Sequence, residues 1–269
     1  MQLIDVIVLG LVQGVTEFLP ISSSGHLILV ENWLSVEGAN EIALYALLHF
    51  ATTAAVMLYF WSDIWVLIQV ALRKLGRLPV NEKDITLLYS LIIATIPAVF
   101  IGVLLEETIT EYFWTPMFVA VALMFASFFF LFVEWKYYLT PAHGEINLKT
   151  AFKIGLFQAL ALLPGVSRSG STLAGGMLLG LSRYESARFS FLLAIPITLG
   201  VGIKYSLDLL KDRGEVEWAL LFVGAAISFV TALIVIHFFL NFIRKYTLWP
   251  FVWYGIILAA FIGYVNIFA

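Results

Sequence analysis

The chain has 269 residues, 62% of them hydrophobic and only 12% charged, with a formal net charge of −3. Soluble domains carry about 25% charged residues, so a water-soluble fold of this size is excluded and lipid must be the solvent. The 15 Lys and Arg are scattered, which argues against nucleic acid as a partner; the absence of cysteine excludes disulfides and thiolate metal sites; and the four His are too dispersed for a zinc centre.

In chain order, the first apolar stretch, about 3–34, does not read as one clean span. It contains no Lys or Arg up to residue 30 and is interrupted by Gln13, Glu17 and Ser22–Ser24. It lacks the basic n-region and small-residue cleavage site of a cleavable signal, so it is expected to belong to the mature protein. Three stretches of about 20 apolar residues follow, at about 43–61, 86–105 and 116–135. A second interrupted stretch occupies about 151–182, and three more spans follow at about 187–206, 217–240 and 250–268. In each interrupted stretch an apolar run meets a Pro and a Ser/Gly-rich turn before a second run. Each half is too short to cross a bilayer, which predicts a re-entrant helical hairpin whose broken backbone is shielded by protein or a watery cavity.

The two interrupted stretches resemble each other. Gly10–Gly25 reads GLVQGVTEFLPISSSG and Gly155–Gly170 reads GLFQALALLPGVSRSG. They share Gly-Leu-x-Gln, Leu-Pro and Ser-x-Ser-Gly, with single-residue shifts between blocks. The chain therefore reads as a single membrane domain over 1–269 with an internal duplication, repeat one at about 1–140 and repeat two at about 150–269. The expected fold is an all-α integral membrane protein of six transmembrane helices plus two re-entrant hairpins. Each repeat crosses an odd number of times, so the copies are inverted, and inverted repeats place a site where they meet.

Charge sets the expected orientation. Eleven basic residues (Arg73, Lys74, Arg77, Lys83, Lys136, Lys149, Lys153, Arg183, Arg188, Arg244, Lys245) fall in one set of loops. The other set holds Lys204, Lys211 and Arg213 among Asp208, Asp212, Glu215 and Glu217, plus an acidic loop at Glu106–Glu111. The basic side should be cytoplasmic, with both termini on the outer face. Trp61, Trp65, Trp114, Trp135, Trp218 and Trp249 lie near span ends, as interfacial anchors do.

Ionisable groups inside a membrane are functional hypotheses by default, and here they gather in the hairpins. Gln13 and Glu17 are four apart and share a helix face; Ser22, Ser23, Ser24 and His26 follow at the turn. Ser167, Arg168, Ser169, Ser171 and Thr172 stand beside Gly165 and Gly170 in the second hairpin. These types fit a phosphate ester. A glycine-flanked turn opening a helix offers free N–H groups and a positive dipole end. Arg168 suits a bidentate grip on phosphate. Glu17 suits a hard divalent cation, His26 general acid–base work, and a serine beside a base a nucleophile. The bland alternatives are serines bonding between helices, a Glu17–Arg168 ion pair locking the hairpins together, and a structural His26. His49 reads as structural or, at most, as support for the site; His143 and His237 suggest nothing specific.

At these residues the chain resembles the undecaprenyl-pyrophosphate phosphatase, or bacitracin-resistance, family. The likeness covers essentially the whole chain: Gln13 to Glu17, Phe18 to Pro20, Ser22 to His26, and Pro164 to Ser169 match its signatures. The resemblance implies hydrolysis of undecaprenyl pyrophosphate to undecaprenyl phosphate and phosphate, which recycles the carrier for peptidoglycan and other envelope polymers. It implies dependence on Mg²⁺ or Ca²⁺ and a bacterial inner-membrane site open to the outer face. It implies Glu17 as metal and pyrophosphate ligand, Ser23 as nucleophile or nucleophile-positioning hydroxyl, His26 as acid/base and Arg168 as clamp, with Gln13, Ser22, Ser24, Gly165, Ser167, Ser169 and Thr172 around the substrate. Gln13 replaces the acidic residue of the motif, so a two-carboxylate metal site is in doubt. A serine-phosphate route and direct attack by a metal-bound water both stay open. The competing class is a transporter flipping the lipid phosphate, because broken helices in inverted repeats are transporter architecture. Gly and Ala on span faces allow a homodimer.

Overall fold

The computed structural model describes residues 2–31, 34, 39–140, 142–211 and 214–268. Asp212 and Arg213, and part of the expected end of the first hairpin, lie outside them. Among the described residues the chain is all-helical, with eleven helices and no strand.

Six helices are long and apolar enough to cross a membrane: Asn40–Tyr59 within α3 (Ala39–Tyr59), Glu82–Leu105 within α5 (Glu82–Phe113), α6 (Pro116–Leu139), α9 (Arg183–Leu209), α10 (Trp218–Ile243) and Trp249–Ile267 within α11 (Trp249–Phe268). Each overlaps one of the stretches read from sequence. Their starts follow local chemistry. Asn81, Thr115 and Ser182 each accept a backbone N–H of the first turn, and Pro116 takes the position where its missing N–H costs nothing. The outward faces carry large apolar side chains, among them Phe100, Val103, Phe125, Ile234 and Ile257, and all six predicted anchor tryptophans are exposed.

Four short helices remain from the interrupted stretches: α1 (Leu3–Thr16), α2 (Ser23–Glu31), α7 (Leu148–Leu160) and α8 (Arg168–Leu178). At 1.5 Å per residue the longest is about 21 Å, less than the roughly 30 Å of a hydrocarbon core. The breaks fall at Glu17–Ser22 and Ala161–Ser167, where proline and left-handed backbone stop the helix. Ser22 has φ 69° and Gly165 φ 91°. A side chain at Gly165 would also meet the Val119 carbonyl at 2.8 Å, so shape as well as backbone freedom demands glycine there.

Two readings of the connecting segments need correction. The acidic stretch 106–111, expected as a loop, is helical: α5 runs 32 residues, passing through Pro97, and ends only before Trp114–Pro116. The basic connection after the first clear span contains α4 (Trp61–Leu75), separated from α3 only by Phe60. It buries Leu67 and Val70, exposes Trp61, Trp65 and Leu72, and ends in Arg73 and Lys74. Such amphipathicity was hidden by the count of basic residues.

Packing pairs elements of the two halves. α1 lies chiefly on α10, α7 on α5, α3 on α9 and α6 on α11. Gly10 of α1 sits so close to α10 that a Cβ would stand 2.5 Å from the Gly224 carbonyl oxygen; a Cβ at Gly155 of α7 would stand 2.5 Å from the Ala94 carbonyl oxygen of α5. These are the matching glycines of the duplicated motif. A buried carboxylate, Glu134 of α6, ties the other end of the bundle. It accepts two hydrogen bonds from Arg183 at the start of α9 and one from the Leu248 amide before α11 at 2.7 Å.

Gly10→Ala and Gly155→Ala should each lower the unfolding temperature of the purified protein, since overpacking against backbone costs about 1–3 kcal/mol. Gly263→Ala, which meets nothing within 4 Å, serves as the control in the same thermal scan. Equal melting of all three variants would show that the close approach is not structural.

Candidate active site

The two breaks meet. Gly25, at the start of α2, faces Gly165, where a Cβ would lie 3.5 Å from the glycine's Cα; a Cβ at Gly170 would lie 3.0 Å from Pro20. Ser169 Oγ donates to the Leu19 carbonyl at 2.9 Å, and Ser167 Oγ reaches the same oxygen at 3.4 Å. The residues that look like phosphate ligands in the second motif therefore also staple its turn to the first.

Glu17 occupies the centre of the junction, 7% exposed. Its Oε1 accepts from Arg168 Nη2 at 2.8 Å; its Oε2 accepts from Ser23 Oγ at 2.8 Å and from Gln13 Nε2 at 3.0 Å. The ion pair joins residues 151 positions apart in sequence. Arg168 also donates to the Ser190 carbonyl of α9 at 3.2 Å, which fixes the angle of its guanidinium. Ser23 and Arg168 are the first residues of α2 and α8, and both helices direct their N-termini into the junction. The first two amides of a helix have no intrahelical acceptor, so two positive dipole ends converge where an anion would sit.

The remaining predicted residues divide. Ser22 caps α2 through the Gly25 amide at 3.3 Å and lies 3.4 Å from Ser24 Oγ; Ser167 caps α8 through the Gly170 amide at 3.1 Å. Thr172 is buried and bonded to Ser190 Oγ at 2.6 Å, bracing α8 on α9. Gly165 packs on α6. His26 is turned elsewhere: Nδ1 donates to the Ser22 carbonyl at 2.7 Å, so a neutral ring accepts at Nε2 from the Tyr254 hydroxyl at 2.6 Å. No hydrogen bond joins it to Glu17, Ser23 or Arg168 among the described residues. His49 of α3 is instead within electrostatic reach of both Glu17 and Arg168, with Nδ1 donating to the Tyr45 carbonyl at 2.8 Å. Sequence reading set it aside because it stands in a clean span, although an ionisable group there was itself the signal. Tyr254 belongs to neither motif and carried no signal.

No group of three or more His, Asp or Glu able to hold a metal occurs among the described residues. The donors that do lie together are Glu17 and Gln13, which is 0% exposed and whose Oε1 has no hydrogen-bond partner. One carboxylate and one neutral amide oxygen suit a hard cation that takes its other ligands from phosphate oxygens and water, and do not suit a cage built by protein alone.

The model of the bacitracin resistance protein BacA family matches residues 6–261. The chain belongs to that family. It is 41% identical over 263 residues to an undecaprenyl-diphosphatase of Alteromonas mediterranea, covering 97% of each chain. It is also 41% identical over 272 residues to one of Trichlorobacter lovleyi, covering 98% of this chain and 96% of that one. To undecaprenyl-diphosphatase 1 of Clostridioides difficile it is 38% identical over 270 residues, covering 96% of this chain and 94% of the other. The family match spans both motifs, five of the six long helices in full and the sixth as far as residue 261.

Breaking one partner of a buried ion pair costs about 3–5 kcal/mol, because a charge stays buried alone. Arg168→Met should therefore destabilise the protein by about that amount, and adding Glu17→Gln should restore most of it. Denaturant or thermal titration of the single and double variants reads this directly; a double variant no more stable than the single would break the argument.

Proposed function

We propose that this protein hydrolyses undecaprenyl pyrophosphate to undecaprenyl phosphate and inorganic phosphate in the bacterial plasma membrane, sustaining carrier recycling and bacitracin resistance. The observation that carries the reading is the convergence of Ser23 and Arg168 on Glu17 from two distant segments. Family membership and the names of the relatives agree with it. The long apolar tail of the substrate has a natural place against lipid-facing helix surfaces.

In this reading the terminal phosphate enters the junction and meets the N-termini of α2 and α8. Arg168 swings from Glu17 to the phosphate oxygens, keeping its hold on the Ser190 carbonyl. Ser23 Oγ, 2.8 Å from Glu17 Oε2, gives that carboxylate its proton as it attacks the terminal phosphorus. The new Ser–O–P bond forms as the P–O bond to the lipid phosphate breaks, and undecaprenyl phosphate leaves. Water then cleaves the serine phosphate, with Glu17 returning the proton to Ser23. Direct attack by water, deprotonated by the same Glu17, is the competing route. His26, held by Tyr254, orients α2 at its first turn, and Gln13 holds the Glu17 carboxylate. A bound Mg²⁺ or Ca²⁺ would be held by Glu17 and Gln13 Oε1 and would neutralise charge on the pyrophosphate.

The finer architecture belongs to the same proposal. α1–α2 and α7–α8 are re-entrant hairpins of an inverted repeat, one from each face. The exchange of partners supports this: hairpin one packs on the second repeat through Gly10, and hairpin two on the first through Gly155. The basic loops then face the cytoplasm, and both termini and the mouth of the site face outward.

Purified protein in detergent with Mg²⁺ should release phosphate from undecaprenyl pyrophosphate, and EDTA should abolish the release until the cation is restored. Glu17→Gln and Ser23→Ala should each lower kcat by at least about 10²-fold, within the range for loss of a nucleophile or base. A phosphate ester on Ser23, trapped by rapid quench and found by mass spectrometry, would select the serine route. Full activity in Ser23→Ala would exclude it. Absence of any hydrolysis by the wild type would overturn the whole assignment.

A further inference from the structure

A second polar cluster lies away from the hairpin junction, on the lipid-facing surface between α3 and α10. Tyr59, Leu233, Ile234, His237, Phe238 and Asn241 line a groove of about 540 Å³. Its walls are apolar and open: Ile234 is 64% and Phe238 61% exposed. Within it His237 bridges two partners, Tyr59 Oη at 3.1 Å from Nδ1 and Asn241 Nδ2 at 3.0 Å from Nε2. His237, Asn241 and Arg244 are spaced i, i+4 and i+7, so they form one stripe on α10 that ends in a guanidinium. Arg244 rests 4.0 Å over the Tyr184 ring, is exposed, and has no carboxylate partner among the described residues.

Hydrogen-bond counting shows what the stripe lacks. With the amide as placed, Asn241 donates to Nε2, so neutral His237 donates from Nδ1 to the Tyr59 oxygen. The Tyr59 hydroxyl hydrogen and one Asn241 hydrogen are then left without an acceptor in the stripe. With the amide turned over, His237 donates from Nε2 to Asn241 and accepts at Nδ1 from Tyr59, and both Asn241 hydrogens lack an acceptor in the stripe. Either way two donor hydrogens find no acceptor within the stripe, beside an apolar, lipid-facing surface where an unmet donor is costly. The complement is an anionic acceptor attached to a hydrocarbon chain.

We propose that this groove binds an anionic phospholipid of the leaflet adjoining the basic loops, its phosphate on Tyr59, Asn241 and Arg244 and one acyl chain along Ile234 and Phe238. The charge of Arg244 selects an anionic headgroup over a zwitterionic one. None of these residues touches Glu17, Ser23 or Arg168, so the site is independent of the hydrolytic one.

The test uses full-length protein in nanodiscs of phosphatidylcholine doped with phosphatidylglycerol. A phosphatidylglycerol carrying a diazirine on its acyl chain should label the wild type within residues 233–238. Native mass spectrometry should show phosphatidylglycerol retained over phosphatidylcholine, with retention falling about fivefold in Tyr59→Phe, in Asn241→Leu and in Arg244→Gln, consistent with one hydrogen bond each. Lys149→Gln, on the same expected side but outside the groove, should leave retention unchanged. Labelling confined to other helices, equal retention of the two lipids, or an equal loss in Lys149→Gln would each overturn the proposal. The labelling arm needs no variant, so a variant that fails to fold leaves the test intact.

Discussion

The ion pair between Glu17 and Arg168 is the constraint on which the rest of the arrangement depends. Neither charge tolerates the low dielectric around it alone, and each belongs to a different broken helix. Their need for one another brings two turns, far apart in sequence, to one point. Once there, Ser167 and Ser169 close on the Leu19 carbonyl, and Gly165 and Gly170 let the turns lie against α6 and Pro20 without a gap. The contacts of the proposed catalytic site and the fastening of the fold are the same set of bonds. A site assembled this way stays assembled only while a charge of the right sign is available to Arg168, whether the carboxylate or the phosphate of a substrate.

Much of this was legible in the sequence, for physical reasons. A chain with 12% charged residues advertises its solvent, and a span must be long and apolar, so six helices stood out. The broken helices were visible because proline and serine-glycine clusters interrupt an apolar run where no soluble loop is expected. Glu17 and Arg168 were visible because charge in such a run needs either a partner or a function, and here each has the other as partner. What could not be read was direction. The sequence spacing puts His26 one turn beyond Ser23, yet its ring bonds to Tyr254 from the last helix, a partner no motif marks. His49 was discounted for the opposite reason, since a single histidine in an apolar helix shows nothing of what faces it. The helical acidic stretch at 106–111 and α4 were missed because counting charges assigns sides of a membrane and says nothing of backbone geometry.

The roles of the polar residues also shift once packing is known. Ser22, Ser167, Ser169 and Thr172 share a composition with phosphate-binding loops, and three-dimensional contacts give each a backbone or helix partner already. Ser22 and Ser167 cap α2 and α8, so their part in the proposed anion binding would pass through the amides they leave free. His237 moves the other way. It looked featureless near a span end and becomes the middle of a hydrogen-bonded stripe.

Ser23 and Arg168 hold corresponding places, each the first residue of the second half of its hairpin, and both grasp one carboxylate. Their side chains differ greatly in length. Serine holds its oxygen beside its own backbone; arginine spans the gap to the other hairpin. In the proposed serine route, a phosphorus within bonding distance of serine would therefore be displaced from the midline between the two broken segments, toward the first. Two similar motifs would thus produce a lopsided site from a difference in reach alone. Exchanging the two residues, with a carboxylate placed at Leu162 and Glu17 made leucine, would be the mirror version of the same enzyme, with the chemistry carried by the other arm.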